Sequence, residues 1–263
     1  MVSLRERALR GERLIGALLR MPSEELVEMS AVAGMDFVLI DCEHGPADVI
    51  ALRQHIALAA VHDVPVIVRV GRDDPGQILR VLDQGAQGIL APHIDSAGDA
   101  ERLLSAALYP PAGERGFATY SRAGRFGRTP ADAHRRWFLD NTLVLGMIES
   151  PAGVEAAAEI AEVPRLDGIM IGPADLAAAS GPQDAPVTEQ IDRVNVTLRE
   201  KEVLRMDIVG DAAAARQAFD AGAQLVVYNL AHSLMSHVES LVDGRPWPRR
   251  TPTGPVPAQD ATH

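Results

Sequence analysis

The sequence of 263 residues has little cysteine, lysine or aromatic content. Its single cysteine, Cys42, excludes an internal disulfide and a cysteine-rich zinc site. Its single lysine, Lys201, stands in a polar run before a predicted strand, away from the catalytic end, so Schiff-base chemistry is excluded. Aromatic residues make up 4% of the chain, so alanine, valine, leucine and isoleucine must build the core.

Long apolar runs and an excess of positive charge are also missing. No stretch reaches the roughly 18 consecutive apolar residues of a membrane span, and the charged N-terminus lacks the apolar region of a secretory signal. Acidic residues outnumber basic ones by 36 to 25, which gives a net charge of −11. A nucleic-acid-binding protein usually has a net positive charge. We therefore expect a cytoplasmic protein that binds neither nucleic acid nor membrane.

Short apolar runs alternate with longer helical stretches along the chain. Most of the runs are β-branched and continuous, which is typical of parallel strands covered on both faces. The eight runs are Leu14–Leu18, Phe37–Asp41, Pro65–Arg69, Gly88–Ala91, Leu143–Glu149, Gly168–Gly172, Leu204–Val209 and Leu225–Asn229.

The segments between the runs share one pattern, a helical stretch followed by a glycine and a turn into the next strand. Helical stretches such as Pro22–Ala33, Ala47–Val61 and Pro75–Gln84 precede or follow the strands, and a glycine marks several of the helix ends. Eight such units predict an α/β protein with a (β/α)8 (TIM) barrel. The alternative is a doubly wound open sheet, but this sequence has no G-x-G-x-x-G motif after its first strand.

One domain accounts for residues 1–244, and the proline-rich residues 245–263 are predicted to form a flexible tail. The regular rhythm breaks once, between the fourth and fifth strands, where Tyr109–Pro130 is rich in glycine and arginine and Ala131–Asn141 reads as a helix. The loop arginines at positions 115, 122, 125 and 128 could bind an acidic substrate or a neighbouring subunit, or could simply be solvated.

Ionisable residues collect where predicted strands end. Asp41, Glu43 and His44 follow the second strand, Arg69 ends the third and Glu149 ends the fifth. Asp175 comes shortly after the sixth strand. A barrel brings all strand ends to one mouth, where active sites lie. Paired carboxylates favour a hard divalent cation, a histidine can move a proton, and an arginine fits a carboxylate or enolate oxygen.

These positions lie in motifs that resemble the HpcH/HpaI family of class II 2-oxo acid aldolases. The matching phrases are IDCEHGP (Ile40–Pro46), VRV (Val68–Val70), LDQGAQGILAPH (Leu82–His93), YPPAGERG (Tyr109–Gly116), IESPAGVE (Ile148–Glu155) and GIMIGPADL (Gly168–Leu176). The likeness runs from about Leu14 to Gly181, and Ala218–Val227 resembles the family's last βα unit.

The resemblance implies a metal-dependent aldolase, a carbon–carbon lyase that joins pyruvate or a similar 2-oxo acid to an aldehyde. Glu149 and Asp175 would hold Mg, Mn or Co. His44 would be the base, acting through a bound water with Asp83 as its dyad partner, and Arg69 would bind the pyruvyl oxygen. The resemblance also implies that the substrate carboxylate binds to the turn of Gly172, Pro173, Ala174 and Asp175. Asp41 and Glu43 would order waters at the metal.

The resemblance also implies a homo-oligomer, a trimer of dimers that swaps a C-terminal helix, here near Ser233–Val242. Two departures from the family pattern keep other functions open: Met147 replaces the usual glutamine, and residues 182–210 diverge. A similar citrate synthase of siderophore assembly works without metal and also has methionine there. The alternatives are therefore a metal-independent, citrate-synthase-like acyl transferase and a non-catalytic relative that binds a small acid.

Other reactive side chains are assigned no role. Cys42 is expected to be a buried bystander because adjacent strand residues point to opposite faces. Six histidines have no ligand-like spacing and are assigned no site: His55, His62, His93, His134, His232 and His237.

Overall fold

The computed structural model describes residues 2–45 and 48–244. Eight parallel strands close into a barrel in sequence order, with β8 paired to β1, so the predicted (β/α)8 barrel is confirmed. The strands are β1 Leu14–Leu19, β2 Phe37–Asp41, β3 Val66–Arg69, β4 Gly88–Ala91, β5 Leu143–Ile148, β6 Gly168–Ile171, β7 Leu204–Val209 and β8 Leu225–Asn229. All eight coincide with the predicted runs to within a residue at either end.

Helices fill the connections between the strands. They are α1 Leu4–Leu9, α2 Glu24–Val32, α3 Val49–Val61, α4 Pro75–Asp83, α5 Ala97–Ala107, α6 Ala131–Asn141, α7 Pro151–Glu155, α8 Ala157–Ala161, α9 Pro173–Ala179, α10 Val187–Glu200, α11 Ala212–Asp220 and α12 Leu230–Asp243. The divergent segment 182–210 keeps the barrel pattern as α10 and β7. The long insertion contains α6 where it was predicted, and residues 109–130, all described, contain no helix or strand.

Apolar side chains fill the barrel on both sides of the sheet. Leu14, Leu39 and Leu145 point inward and form a packed interior cluster. Their sequence neighbours point outward, and Val38 and Val144 join the larger cluster beneath the helices. Because both faces of most strands are buried, the sequence shows continuous apolar runs rather than alternation.

The short helix α1 packs against the barrel interior. Leu4 and Ala8 are almost fully buried and belong to the same cluster as the inward-facing strand residues. Ser3 starts the helix by accepting a hydrogen bond from the Glu6 amide at 3.2 Å. The charged N-terminal sequence therefore supplies an amphipathic helix that covers one end of the barrel.

The last helix is covered poorly. None of the α12 side chains, all of them described, is buried, and its apolar residues Leu234, Met235, Val238 and Leu241 are exposed. On the outer face of β1 and β8, Ile15 and Tyr228 are only partly buried. In the described part of the chain, no helix is both long and apolar enough to cross a bilayer. The predicted tail, 245–263, lies outside the described residues, so its boundary stays a prediction.

Candidate active site

Asp41, the last residue of β2, organises one side of the barrel mouth. Its Oδ1 accepts hydrogen bonds from the backbone amides of Glu43, at 3.1 Å, and His44, at 3.2 Å. These bonds fix the turn that follows the strand. Asp41 also accepts a hydrogen bond from Arg20 Nε at 3.0 Å, so the residue after β1 is tied to the same carboxylate.

Arg69 forms a buried, two-pronged ion pair with Asp41. The strand register sets the two residues side by side; Arg69 Nε donates to Asp41 Oδ1 at 2.9 Å, and Nη2 donates to Oδ2. Burial alone would raise the pKa of the Asp41 carboxyl, but the hydrogen bonds and charge of Arg69 hold it below its ordinary value. The remaining nitrogen, Nη1, lies 3.2 Å from Glu43 Oε2 and 3.9 Å from Met147 Sδ.

A cluster of Glu43, His93 and Glu149 lies beside this arginine. Glu149 follows β5 and is 2% exposed, and its Oε1 accepts a hydrogen bond from the His93 backbone amide at 2.7 Å. His93 Nδ1 lies 3.2 Å from the same oxygen, and its Nε2 lies 3.9 Å from Glu43 Oε1. One donor atom from each residue can be chosen so that all three lie within 4.8 Å of one another.

The cluster is short of positive charge. Burial raises the pKa of the Glu149 carboxyl, and the negative charges of Glu43 and Asp175 add to that effect. The His93 amide and imidazole oppose it. A buried carboxylate of this kind is stabilised in its charged form by a nearby cation.

Gly172, which precedes α9, leaves room for the Glu149 carboxylate to lie close to the backbone. A Cβ on Gly172 would lie 2.8 Å from Glu149 Oε2, so a side chain at this position would push the carboxylate away. Among the described residues no side chain caps the first turn of α9, which contains Ala174 and Asp175. Pro173 opens that helix, where the missing N–H costs nothing.

The donor set fits a divalent cation. Glu43 Oε2 is buried and, although Arg69 is near, it receives no well-formed hydrogen bond from any described residue. Carboxylate oxygens with one imidazole are ligands that Mg²⁺, Mn²⁺ and Co²⁺ accept, with the nitrogen favouring the later metals. The described residues therefore supply both the negative charge and an unsatisfied oxygen that such an ion would neutralise.

The dyad of His44 and Asp83 stays a prediction, and the structure shows the partners that each residue has within one chain. His44 is exposed in the loop after β2, and its Nε2 lies 3.9 Å from Glu43 Oε2. Asp83 ends α4, and because helices run back against the strands, it lies toward the opposite end of the barrel. There it accepts a hydrogen bond from Arg115 Nη2 at 2.6 Å.

Arg115 is not a solvated loop arginine. Its side chain is fully buried, with the guanidinium carbon 4.4 Å from the Tyr109 ring centroid and 4.6 Å from that of Phe138. The ion pair with Asp83 thus anchors the start of the long insertion against α4 and α6. Of the other loop arginines, Arg122 donates to the carbonyl of Ala57 at 3.4 Å.

Two residues of the site were missed by sequence reasoning. Arg20 and His93 both follow strand ends, the same signal that singled out Asp41 and Glu149, and the assignment of no site to His93 is corrected by its contacts with Glu149. The expected burial of Cys42 is confirmed. Burial, helped by Asp41, raises the pKa of its thiol to about 11, so it is a poor nucleophile at neutral pH.

A cavity opens next to His93. It has a volume of about 630 Å³ and lies between the connections that follow β3 and β4. Its lining is mixed, with Val70, Ile78 and Leu103 providing apolar surface and Asp99 and Arg102 providing charge. A small organic molecule could therefore extend from the cluster into this space.

Residues 16–237 match the model of the HpcH/HpaI aldolase/citrate lyase family, and the chain belongs to that family. It is 36% identical over 203 residues to a pyruvate aldolase of Rhizobium etli, covering 77% of this chain and 78% of the relative. It is 33% identical over 231 residues to a 4-hydroxy-2-oxo-heptane-1,7-dioate aldolase of Salmonella paratyphi B, covering 86% and 87%.

Solved structures show the same fold. A family member from Burkholderia cenocepacia is 29% identical with a TM-score of 0.83, covering 92% of this chain and 98% of the other. The citrate synthase SbnG is 25% identical with a TM-score of 0.81, covering 92% and 97%. The family and its aldolase relatives identify the chain as an enzyme of the aldolase/lyase type.

Proposed function

We propose that the protein is a metal-dependent aldolase that forms or cleaves a C–C bond between pyruvate, or a related 2-oxo acid, and an aldehyde. The observation that carries this proposal is the cluster at the barrel mouth, where the buried Glu149 lies among acidic groups beside Arg69. The aldolase relatives named above support the same reaction class.

Glu149 and Asp175 would hold a divalent cation, either Mg, Mn or Co. When bound, such an ion supplies a Lewis acid that polarises the ketone of a 2-oxo acid and favours loss of a neighbouring proton. The close approach of Glu149 that Gly172 allows, and the effect of the Asp175 charge on the pKa of the Glu149 carboxyl, support this choice of ligands.

Arg69 would bind the pyruvyl oxygen through Nη1, since its other nitrogens are held by Asp41. This arrangement fixes the guanidinium before substrate arrives, so little side-chain freedom is lost on binding. Asp41 would support Arg69, and Glu43, whose Oε2 lies 3.2 Å from Nη1, would order waters at the cation.

His44 would accept the proton of the substrate's 4-hydroxyl through a bound water as the C3–C4 bond breaks. Its exposure and its place in the turn fixed by Asp41 support a proton-transfer role, because the imidazole can exchange protons with solvent. The substrate carboxylate would lie against the turn of Gly172, Pro173, Ala174 and Asp175, and the aldehyde would occupy the cavity beside His93. Asp83, which pairs with Arg115 within its own chain, would act as the dyad partner of His44 in a neighbouring subunit.

We further propose that the chain forms a homo-oligomer, a trimer of dimers, in which α12 is swapped between partners. The exposed apolar face of α12 and the poorly covered Ile15 and Tyr228 support an exchange that covers both surfaces. An exposed apolar helix face is stabilised when another chain packs on it and removes it from water.

The test is deuterium exchange at pyruvate C3 in D2O, followed by NMR with added Mn²⁺ and then with chelator. We expect exchange that needs the metal and is lost in Glu149→Gln. The matched control is Glu155→Gln, which removes an exposed carboxylate six residues away and should leave exchange unchanged. Exchange that persists in chelator would overturn the metal role, and no exchange with any metal would overturn the pyruvate aldolase.

A second candidate is the citrate-synthase-like acyl transfer without metal. The structural likeness to SbnG and the contact of Met147 with Arg69 favour it as the alternative. Release of free CoA from acetyl-CoA with oxaloacetate, unaffected by chelator, would select this reaction. Tight binding of a small acid with neither exchange nor CoA release would select a non-catalytic relative.

A further inference from the structure

Arg20 is the first residue after β1, at the end of the barrel where the candidate active site lies. Leu14 and Leu18 of the same strand point into the barrel interior, and the alternation of a strand carries Arg20 to the same face. Asp41 has the corresponding place on β2, because Leu39 points inward as well. The two side chains meet there, with Arg20 Nε donating to Asp41 Oδ2 at 3.0 Å. Arg20 therefore belongs to the layer of side chains that closes the interior at the mouth.

One edge of the Arg20 guanidinium is anchored and the other is not. Arg69 donates to Asp41 through two of its nitrogens, whereas Arg20 donates to it through Nε alone. Within residues 2–45 and 48–244, no hydrogen bond or ion pair involves the terminal nitrogens of Arg20, Nη1 and Nη2. Its side chain is 37% exposed, whereas that of Asp41 is fully buried. The guanidinium is thus held in place by a buried carboxylate while its outer edge can meet a ligand.

The chemistry of that outer edge favours a carboxylate. The Nη1 and Nη2 groups of a guanidinium lie in one plane and donate in parallel, which matches the two oxygens of a carboxylate. Asp41 carries one negative charge but contacts two arginines, and Glu43, the next carboxylate, pairs with Arg69. The described side chains therefore neutralise Arg20 only in part. Because Arg20 is already anchored, little side-chain freedom is lost when it binds an anion.

The place of Arg20 on the barrel determines which part of the substrate it would meet. Under the proposed function, the first carboxylate of the 2-oxo acid lies against the turn after β6, and its oxo group lies on Arg69. In a closed barrel of eight strands, β6 lies opposite β2, so carbon C3 of the acid points toward β1 and β2. The cavity assigned to the aldehyde lies between the connections after β3 and β4. Arg20 is therefore on the side of the 2-oxo acid rather than that of the aldehyde.

We propose that Arg20 binds a second carboxylate on the 2-oxo acid, so that the preferred donor is a 2-oxo dicarboxylic acid rather than pyruvate. This inference rests on the proposed function, because it concerns the donor of the same reaction. The first carboxylate binds to the turn after β6, and the second binds to Nη1 and Nη2 of Arg20. Pyruvate binds through its single carboxylate and has the lower affinity.

The experiment is calorimetric titration of the full-length protein, in the presence of Mn²⁺, with two pairs of stable acids. Within each pair, a carboxylate replaces a methyl group: 2-oxoglutarate against 2-oxopentanoate, and malate against 2-hydroxybutyrate. We expect the dicarboxylic acid of at least one pair to bind more tightly by about 10–100-fold, the range for a hydrogen bond between charged groups. Arg20→Met should abolish that preference. Arg20→Lys, which keeps the charge but loses the paired donors, should retain only part of it.

Arg13→Met is the matched control. Arg13 precedes β1, at the far end of the barrel, and pairs with the exposed Asp220 at 3.3 Å, so its loss should leave all four affinities unchanged. A purely structural role of Arg20 would weaken the two acids of each pair equally. An unchanged ratio within the pairs in Arg20→Met would therefore overturn the inference, as would equal binding within both pairs by the unchanged protein.

The remaining outcomes separate this inference from the proposed function. If Arg20→Met changes only the preference for glyoxylate over glycolaldehyde as the aldehyde, Arg20 binds the acceptor and the assignment to the donor is overturned. Exchange at pyruvate C3 by a protein with no preference for dicarboxylic acids overturns the inference alone. A preference that is lost in Arg20→Met, in a protein that exchanges no C3 proton, supports the carboxylate contact while the proposed function fails.

Discussion

The buried pair of Asp83 and Arg115 allows a sharp distinction between a structural and a catalytic aspartate. Arg115 is fully buried, and its only described carboxylate partner is Asp83, which is 15% exposed. Removing one partner of a buried pair commonly costs about 3–5 kcal/mol, because the other charge is left without compensation. The rings of Tyr109 and Phe138 still face the guanidinium, so we expect Asp83→Ala to cost about 3 kcal/mol, the lower end of that range.

Thermal unfolding followed by tryptophan fluorescence measures this loss. For a chain of this size, about 3 kcal/mol corresponds to a fall in Tm of roughly 6–12 °C. Adding Arg115→Met to Asp83→Ala should recover part of the stability, since the unpaired charge is gone. Glu162→Gln, which breaks an exposed pair with Lys201, is the control and should leave the unfolding midpoint unchanged. Unchanged stability in Asp83→Ala together with lost activity would refute the structural role and favour the dyad.

Three further predictions follow from the packing. Gly16→Ala should destabilise the barrel by about 1–3 kcal/mol in the same unfolding assay, because the new Cβ would lie 2.3 Å from a ring carbon of the fully buried Phe37; unchanged stability would contradict the tight interior. Cys42 should react with iodoacetamide far more slowly than a free thiol at pH 8, since a pKa of about 11 leaves only about 0.1% thiolate, and Cys42→Ala should keep full activity; rapid labelling would contradict its burial. Val238→Lys combined with Leu241→Lys should shift the chain to smaller species in light scattering if α12 is an interface, and an unchanged mass would remove α12 from it.

The barrel could be predicted because most strands are buried on both faces. Such strands appear as short continuous apolar runs, and glycines at helix ends mark the repeats, so the eight strands were found almost to the residue. The helix α1 was missed because six residues with alternating charges carry no periodic signal. Its burial depends on the open end of a barrel that only the complete fold creates.

The site could be predicted only in part, since its members come from different strands. Asp41, Arg69 and Glu149 were found as polar groups at strand ends, and the structure shows them beside one another. His93 was passed over because ligand spacing was sought within a helix or turn, whereas its partners come from β2 and β5. Asp83 was placed in the site by resemblance alone; within one chain it forms an ion pair with Arg115, and its dyad role stays a prediction.

The hydrogen bonds to Asp41 join one side of the barrel mouth into a network, whereas the cavity after β3 and β4 is lined by residues outside it. One carboxylate accepts hydrogen bonds from Arg20, from the amides of Glu43 and His44, and from two nitrogens of Arg69. These bonds connect the ends of three consecutive strands. Substitutions in the loops that line the cavity after β3 and β4 would leave these hydrogen bonds intact. Under the proposed aldolase function, a change of acceptor aldehyde would therefore leave the anchor for the 2-oxo acid in place.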